Sequence, residues 1–195
     1  MERFGPTRRG GPVFRWLGEP LAIDLANTVM VIRDGEAVDL LAGPQGLRRW
    51  LEAEEARLGE CAFAVDNLDD ICALRDVVRR LLGARAARTA LPRGDLDSLN
   101  AASAAAPVAP WLDAEEGGRL DVVERAGAAD PLAQLQGRLA RSAIALLGAA
   151  DADLLRVCRA PSCGMFFVGE RRWCCAACGN RARAARHYER TRARA

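Results

Sequence analysis

The stretch that decides the fold is residues 158–190: C-R-A-P-S-C-G-M-F-F-V-G-E-R-R-W-C-C-A-A-C-G-N-R-A-R-A-A-R-H-Y-E-R. Cys158 and Cys163 enclose four residues, with Pro161 and Gly164 to turn the chain, and Cys174, Cys175 and Cys178 follow the apolar segment 165–168. Two short cysteine loops brought together supply the four soft, tetrahedral ligands that zinc takes. Gly164 and Gly179, each directly after a cysteine, are expected to let the backbone turn close to the metal. An arginine-rich helix comes next, so the pattern predicts a zinc finger with one structural zinc. Four thiolates close the coordination sphere and leave no position for water or substrate, which disfavours Lewis-acid catalysis. By spacing alone the third ligand is open. Cys175-x2-Cys178 is the commoner knuckle and slightly favours Cys175 over Cys174, while His187 sits on the helix well past the knuckle and makes a poor fourth ligand. Five thiols within 21 residues would be a liability without a metal.

The segment W-C-C-A-A-C-G-N-R, with Arg183 and R-H-Y-E-R after it and Cys-x4-Cys before it, resembles the CGNR zinc finger. In that family the finger lies C-terminal to an ABATE domain, and the resemblance implies a bacterial transcription regulator. It assigns the metal to Cys158, Cys163, Cys174 and Cys178, and so prefers Cys174. Two departures are visible: the link from Phe167 to Trp173 is shorter than the family's, and Cys175 stands where a small non-ligand residue is usual. Further upstream, G-E-P-L-A-I-D-L-A-N-T-V, then Asp39-Leu-Leu and Leu47-x2-Trp50-Leu51, resembles the opening of the ABATE domain. That match is looser. It implies a ligand-sensing or regulatory module for an effector that the resemblance does not specify.

The 195 residues are half hydrophobic, enough for a substantial core. No stretch approaches the ~20 apolar residues of a membrane span, and no signal peptide is visible. A cytoplasmic protein is expected, in which clustered cysteines are metal ligands and not disulfides. Cys61 and Cys72, away from the cluster, are read as buried core thiols. The net charge of +2 is unevenly spread. In residues 154–195, ten arginines against Glu170 and Glu189 give +8, and the remaining 18 basic and 24 acidic residues give −6. That asymmetry marks an interaction surface at the C-terminal end.

The expected architecture is α+β: a disordered tail (1–12), a mixed helix and strand domain (13–150) and a small treble-clef-like finger with a basic helix (154–195). Residues 13–17 read as a strand. Residues 21–32 read as a helix with a strand-like start, placing Asp24, Asn27 and Thr28 on one face. Gly43-Pro44 opens a helix to Arg57. Asn67 is the N-cap of the longest helix, and Asp95 to Ala105 forms a short one. Segments 107–113 and 119–124 form a hairpin, and Asp130-Pro131 caps a helix ending at Gly148.

On the finger's helix, Arg183, Arg186, His187 and Arg190 project to one side, suited to phosphates or the major groove. Arg181, Ala184, Ala185 and Tyr188 project to the other, where Arg181 could brace backbone carbonyls. Arg171, Arg172 and the Arg192/Arg194 tail add positive charge. The expected partner is duplex DNA, bound through Arg171, Arg172, Arg183, Arg186 and Arg190. An adaptor or RNA-binding role is the alternative, and a small-molecule binder acting through the N-terminal domain is a third reading. One finger seldom supplies enough specific contact, which leaves room for a homodimer. Asp24, Asn27 and Thr28 are a second candidate site, either a pocket for a polar ligand or a structural hydrogen-bond cluster, with Arg33 or Arg75 as counter-charge. No nucleophile–base pair or phosphate-binding glycine loop is recognisable, and with a single histidine no enzymatic role is expected.

Overall fold

The computed structural model describes residues 18–31, 36–59, 66–114, 117–127 and 129–193. The expected tail and first strand, and Arg33, Cys61 and Arg194, lie outside them. Among the described residues the protein is α+β, with seven α-helices and three small antiparallel sheets.

The first helix is shorter than its apolar run suggests. α1 (Leu21–Ala26) ends at Asn27, and the chain turns into β1 (Val29–Val31), which pairs with β2 (Ala37–Asp39). β-Branched Val29 and Val31 favour the extended form. The Thr28 hydroxyl donates to the Leu25 carbonyl at 2.7 Å, closing the turn. Thr28 therefore stands beyond the helix that was expected to carry it.

α2 (Pro44–Ala53) starts with Gly43 at the N-cap and Pro44 at the first position. Its Gly46 is obligatory, because a Cβ there would lie 2.1 Å from the Leu40 carbonyl oxygen. The expected continuation to Arg57 breaks at Glu54 and resumes as α3 (Glu55–Leu58). α4 (Leu68–Ala87), the longest helix, has Asn67 at its N-cap position. α5 (Arg93–Ala104) leads into the hairpin of β3 (Val108–Ala114) and β4 (Leu120–Ala126), in register with Trp111 opposite Val123. The Asp130 side chain caps α6 (Pro131–Gly148) by accepting from the Leu132 and Ala133 N–H groups. A 3-10 turn leads to β5 (Leu155–Val157), which pairs with β6 (Phe166–Val168), and α7 (Ala176–Arg192) closes the chain.

The main core gathers Ile23 and Leu25 of α1, Trp50 of α2, Ile71, Val78 and Leu81 of α4 and Leu139 of α6. Leu155 and Phe166 belong to the same core. A second cluster holds the four finger cysteines, Met165 and Phe167, with Trp173 against it. Strand alternation sends consecutive residues to opposite faces, so β6 places Phe166 in the main core and Phe167 in the finger's own. The finger's hairpin is thus shared between two packing units.

Candidate metal centre and nucleic-acid interface

β5 and β6 carry the first knuckle at their tip. The Cys158 N–H donates to the Met165 carbonyl at 2.8 Å, and the Gly164 N–H to the Cys158 carbonyl at 3.1 Å. Gly164 has φ +109°, the left-handed region that glycine takes without strain, and Val31 Cγ2 would sit 3.0 Å from any Cβ there. Cys174 precedes α7 and Cys178 lies in its first turn, so the helix brings the second pair to the first. Gly179 does not turn the chain as its sequence position suggested. It is helical, and its missing Cβ admits the Trp173 ring, whose Cδ1 would be 3.1 Å away.

The sulfur atoms of Cys158, Cys163, Cys174 and Cys178 all lie within 4.8 Å of one another, and all four residues are buried. Cys163–Cys174 and Cys163–Cys178 Sγ separations are both 3.7 Å, and Cys174–Cys178 is 3.4 Å. Tetrahedral thiolates at a Zn–S distance of about 2.3 Å stand about 3.8 Å apart. The four residues therefore fit one structural zinc. Without a cation these thiols cannot ionise independently. The neighbouring Cys174 holds Cys163 low, at about 5, the same contact drives Cys174 up, and burial pushes Cys178 up to about 12. A central divalent cation is what allows four thiolates together.

Cys175, half-buried at the N-cap of α7, stands 4.0 Å from the Cys174 sulfur and outside the four-cysteine set. The commoner spacing loses here: the sulfurs that gather within 4.8 Å of one another are those of Cys158, Cys163, Cys174 and Cys178. The Cys174 N–H faces Cys158 Sγ at 3.5 Å. Arg181 donates from Nη2 to Cys178 Sγ at 3.0 Å, where a backbone carbonyl was expected as its partner. It stands one turn after Cys178, so its guanidinium neutralises part of the thiolate charge from outside the ligand set.

The described part of α7 is buried only at Cys178, Gly179 and Ala182, all in its first two turns. From Arg186 onward every described residue is exposed. The expected inward face does not extend along the helix: Ala184 is exposed and Tyr188 is 70% exposed. Arg183, Arg186, His187 and Arg190 line one open face. Arg183 donates to Asn180 Oδ1. The other two predicted arginines are anchored differently. Arg171 pairs with Glu19 and lies 4.9 Å from the Phe167 ring centre, and Arg172 lies 5.1 Å from that of Trp173.

The second candidate group, Asp24, Asn27 and Thr28, is buried. Asn27 grips the finger. Its Oδ1 accepts from the Phe166 N–H at 2.8 Å and its Nδ2 donates to the Phe166 carbonyl at 3.0 Å, as a neighbouring strand would. Glu19, unremarked in the sequence reading, accepts from the Val168 N–H at 3.0 Å and holds Arg171. Asp24 pairs with Arg57, at 2.6 Å, and not with Arg75, which makes a bidentate pair with Asp39 at 2.6 and 2.8 Å. Arg57 also contacts Glu54 at 3.0 Å and the Glu19 carbonyl at 2.9 Å. Burial raises Asp24 to about 6 and Glu54 to about 7. Only the nearness of Glu19, Asn27 and Asp24 within one sequence run hinted at this clasp. The partners lie some 140 residues away and leave no local signal.

Fold and site together define a zinc-finger protein whose finger is fastened to a larger α+β body. The chain belongs to the ABATE family, whose model matches residues 19–150 and is described as "Putative stress-induced transcription regulator". Residues 155–191 match the CGNR zinc finger. Among curated proteins, none matches the chain. No helix among the described residues is long and apolar enough to cross a membrane.

Proposed function

We propose that this zinc-binding protein regulates transcription by binding duplex DNA through α7, and that it is a binder and not an enzyme. The observation that carries the reading is the open face of Arg183, Arg186, His187 and Arg190 on a helix whose outer half is exposed all round. Residues three, four and seven apart lie on one side of a helix and can follow a phosphate backbone or enter the major groove. None of the three arginines forms an ion pair among the described residues, so their charge is available to an external anion. The zinc fixes the base of the helix, and the Phe166 clasp fixes the finger to the body. The test is a salt titration of zinc-loaded protein on mixed duplex DNA. Steeply salt-dependent binding is expected, and absence of binding at low salt would overturn the reading.

The adaptor reading has one observation of its own. The β3–β4 hairpin exposes Leu112, Leu120 and Val122 on one face, each more than half accessible. Contiguous exposed apolar surface of this kind marks protein contacts. Binding of a protein partner with no duplex affinity would favour that role.

A further inference from the structure

A groove of about 450 Å³ lies where the finger meets the C-terminal half of α4. Its α4 wall is made of Gly83, Ala86 and Ala87, whose small side chains leave the space open. The finger contributes Arg156 from β5, Arg159 from the first knuckle, and Arg171 and Arg172 from the loop before Trp173. Glu170 is the one carboxylate among the described lining residues and Glu19 pairs with Arg171, so four arginines against two carboxylates leave the groove a net charge of +2. Like charges gathered around one hollow repel, and an oxyanion at the centre relieves that repulsion.

Three of the four guanidiniums are also held in place. Arg156 donates from Nη1 to the Leu155 carbonyl at 3.0 Å and to the Asp153 carbonyl. Arg171 is fixed by Glu19 and the Phe167 ring, and Arg172 by the Trp173 ring. Each guanidinium has five N–H donors, and these contacts occupy one or two of them. The remainder can meet phosphate oxygens in pairs, the geometry at which arginine exceeds lysine. The volume lies in the range of small-molecule sites, about 300–1,000 Å³. A concave hollow walled by two parts of the protein suits the terminal phosphates of a small molecule better than the convex ridge of a duplex.

We propose that this groove binds a small phosphorylated metabolite through Arg156, Arg159, Arg171 and Arg172. The site is separate from the face of α7, and the proposal holds whether or not α7 meets DNA. The probe is inorganic pyrophosphate, titrated calorimetrically into the full, zinc-loaded chain at low salt. Saturable binding is expected. Gly83→Leu should weaken it at least tenfold by filling the groove without changing any charge. A Cβ at Gly83 meets no heavy atom within 4 Å, so the helix accepts the substitution. Arg159→Ala, at an exposed position, should weaken it by a similar factor with zinc content unchanged, and provides the same test should Gly83→Leu fail to fold. Arg186→Ala should leave pyrophosphate binding intact. Unsaturable heat, or wild-type affinity in both groove variants, would overturn the proposal. So would loss of duplex binding in those variants with pyrophosphate binding retained, because the groove would then belong to DNA.

Discussion

Cys174 and Cys175 are chain neighbours with different surroundings. The first sits inside the sulfur tetrahedron, and the second caps α7 half-exposed. Cys175→Ser should therefore retain one zinc per chain by metal analysis, while Cys174→Ser should lose it. Asn27 carries a different load, because it replaces a strand for Phe166. Asn27→Ala leaves a buried N–H and carbonyl unpaired and should destabilise by about 1–3 kcal/mol in denaturant melts. Asp24 and Glu54 share Arg57 in a buried setting and are raised from 3.8 and 4.5 to about 6 and 7. Well below the ordinary values of 3.8 and 4.5 both carboxyls are protonated, folded or unfolded, and the pair contributes nothing to pH dependence. Between pH 4 and 7 the folded chain holds more protons than the unfolded one, so stability falls as pH rises. Glu54→Gln should remove part of that fall. From pH 5 to 8 the variant should gain about 1–3 kcal/mol relative to wild type, read from paired denaturation curves. Zinc ligation is common to both chains and cancels in the comparison.

α7 divides into two parts by burial. Its first two turns complete the metal site, and the rest meets solvent. Arg186 belongs to the second part, so its replacement should leave zinc content and melting unchanged. If Arg186 meets phosphate, Arg186→Ala should flatten the log–log salt dependence of duplex binding by about one unit. If it reads a base, the slope should change less and preference at one base position should relax. A melting curve displaced from wild type would place Arg186 in the fold and remove it from the interface. The β5–β6 hairpin is the complementary element, since it belongs to both cores and connects the finger to α1 and α4.

For the molecule as a whole, this sharing changes the consequence of metal loss. A finger beside an independent domain would melt alone on chelation, leaving the larger part intact, as the sequence leads one to expect. Here Leu155 and Phe166 are buried in the main core. Asn27 and Glu19 reach into the finger from the body. Removing zinc should therefore lower the stability of the whole chain, because metal-binding free energy is folding free energy for the part that carries Phe166. Thermal melts with and without chelator should show a lowered transition for the entire chain. A body transition at an unchanged temperature would show that the two units are energetically separate.

Cys158, Cys163 and Cys178 as zinc ligands, the hairpin of β3 and β4, and the helices α4 and α6 were legible in the sequence, while Cys174 over Cys175 came from the family resemblance and not from spacing. Each is set by spacing or by neighbours within a few residues: cysteines four or five apart, Asp130 before Pro131, Gly and Glu between two extended runs. Such signals are local, and local chemistry decides them. The end of α1 at Asn27 was less legible, because an unbroken apolar run suits helix and strand alike until the Thr28 turn and β2 choose. Tertiary structure alone decided the pairings of Asp24 with Arg57 and of Arg75 with Asp39, and the grip of Asn27 on Phe166. It also decided that four arginines face one groove. These contacts join residues tens to more than a hundred positions apart. A charged or amide side chain reads alike in sequence whichever partner the fold brings to it, so only packing could select the partner.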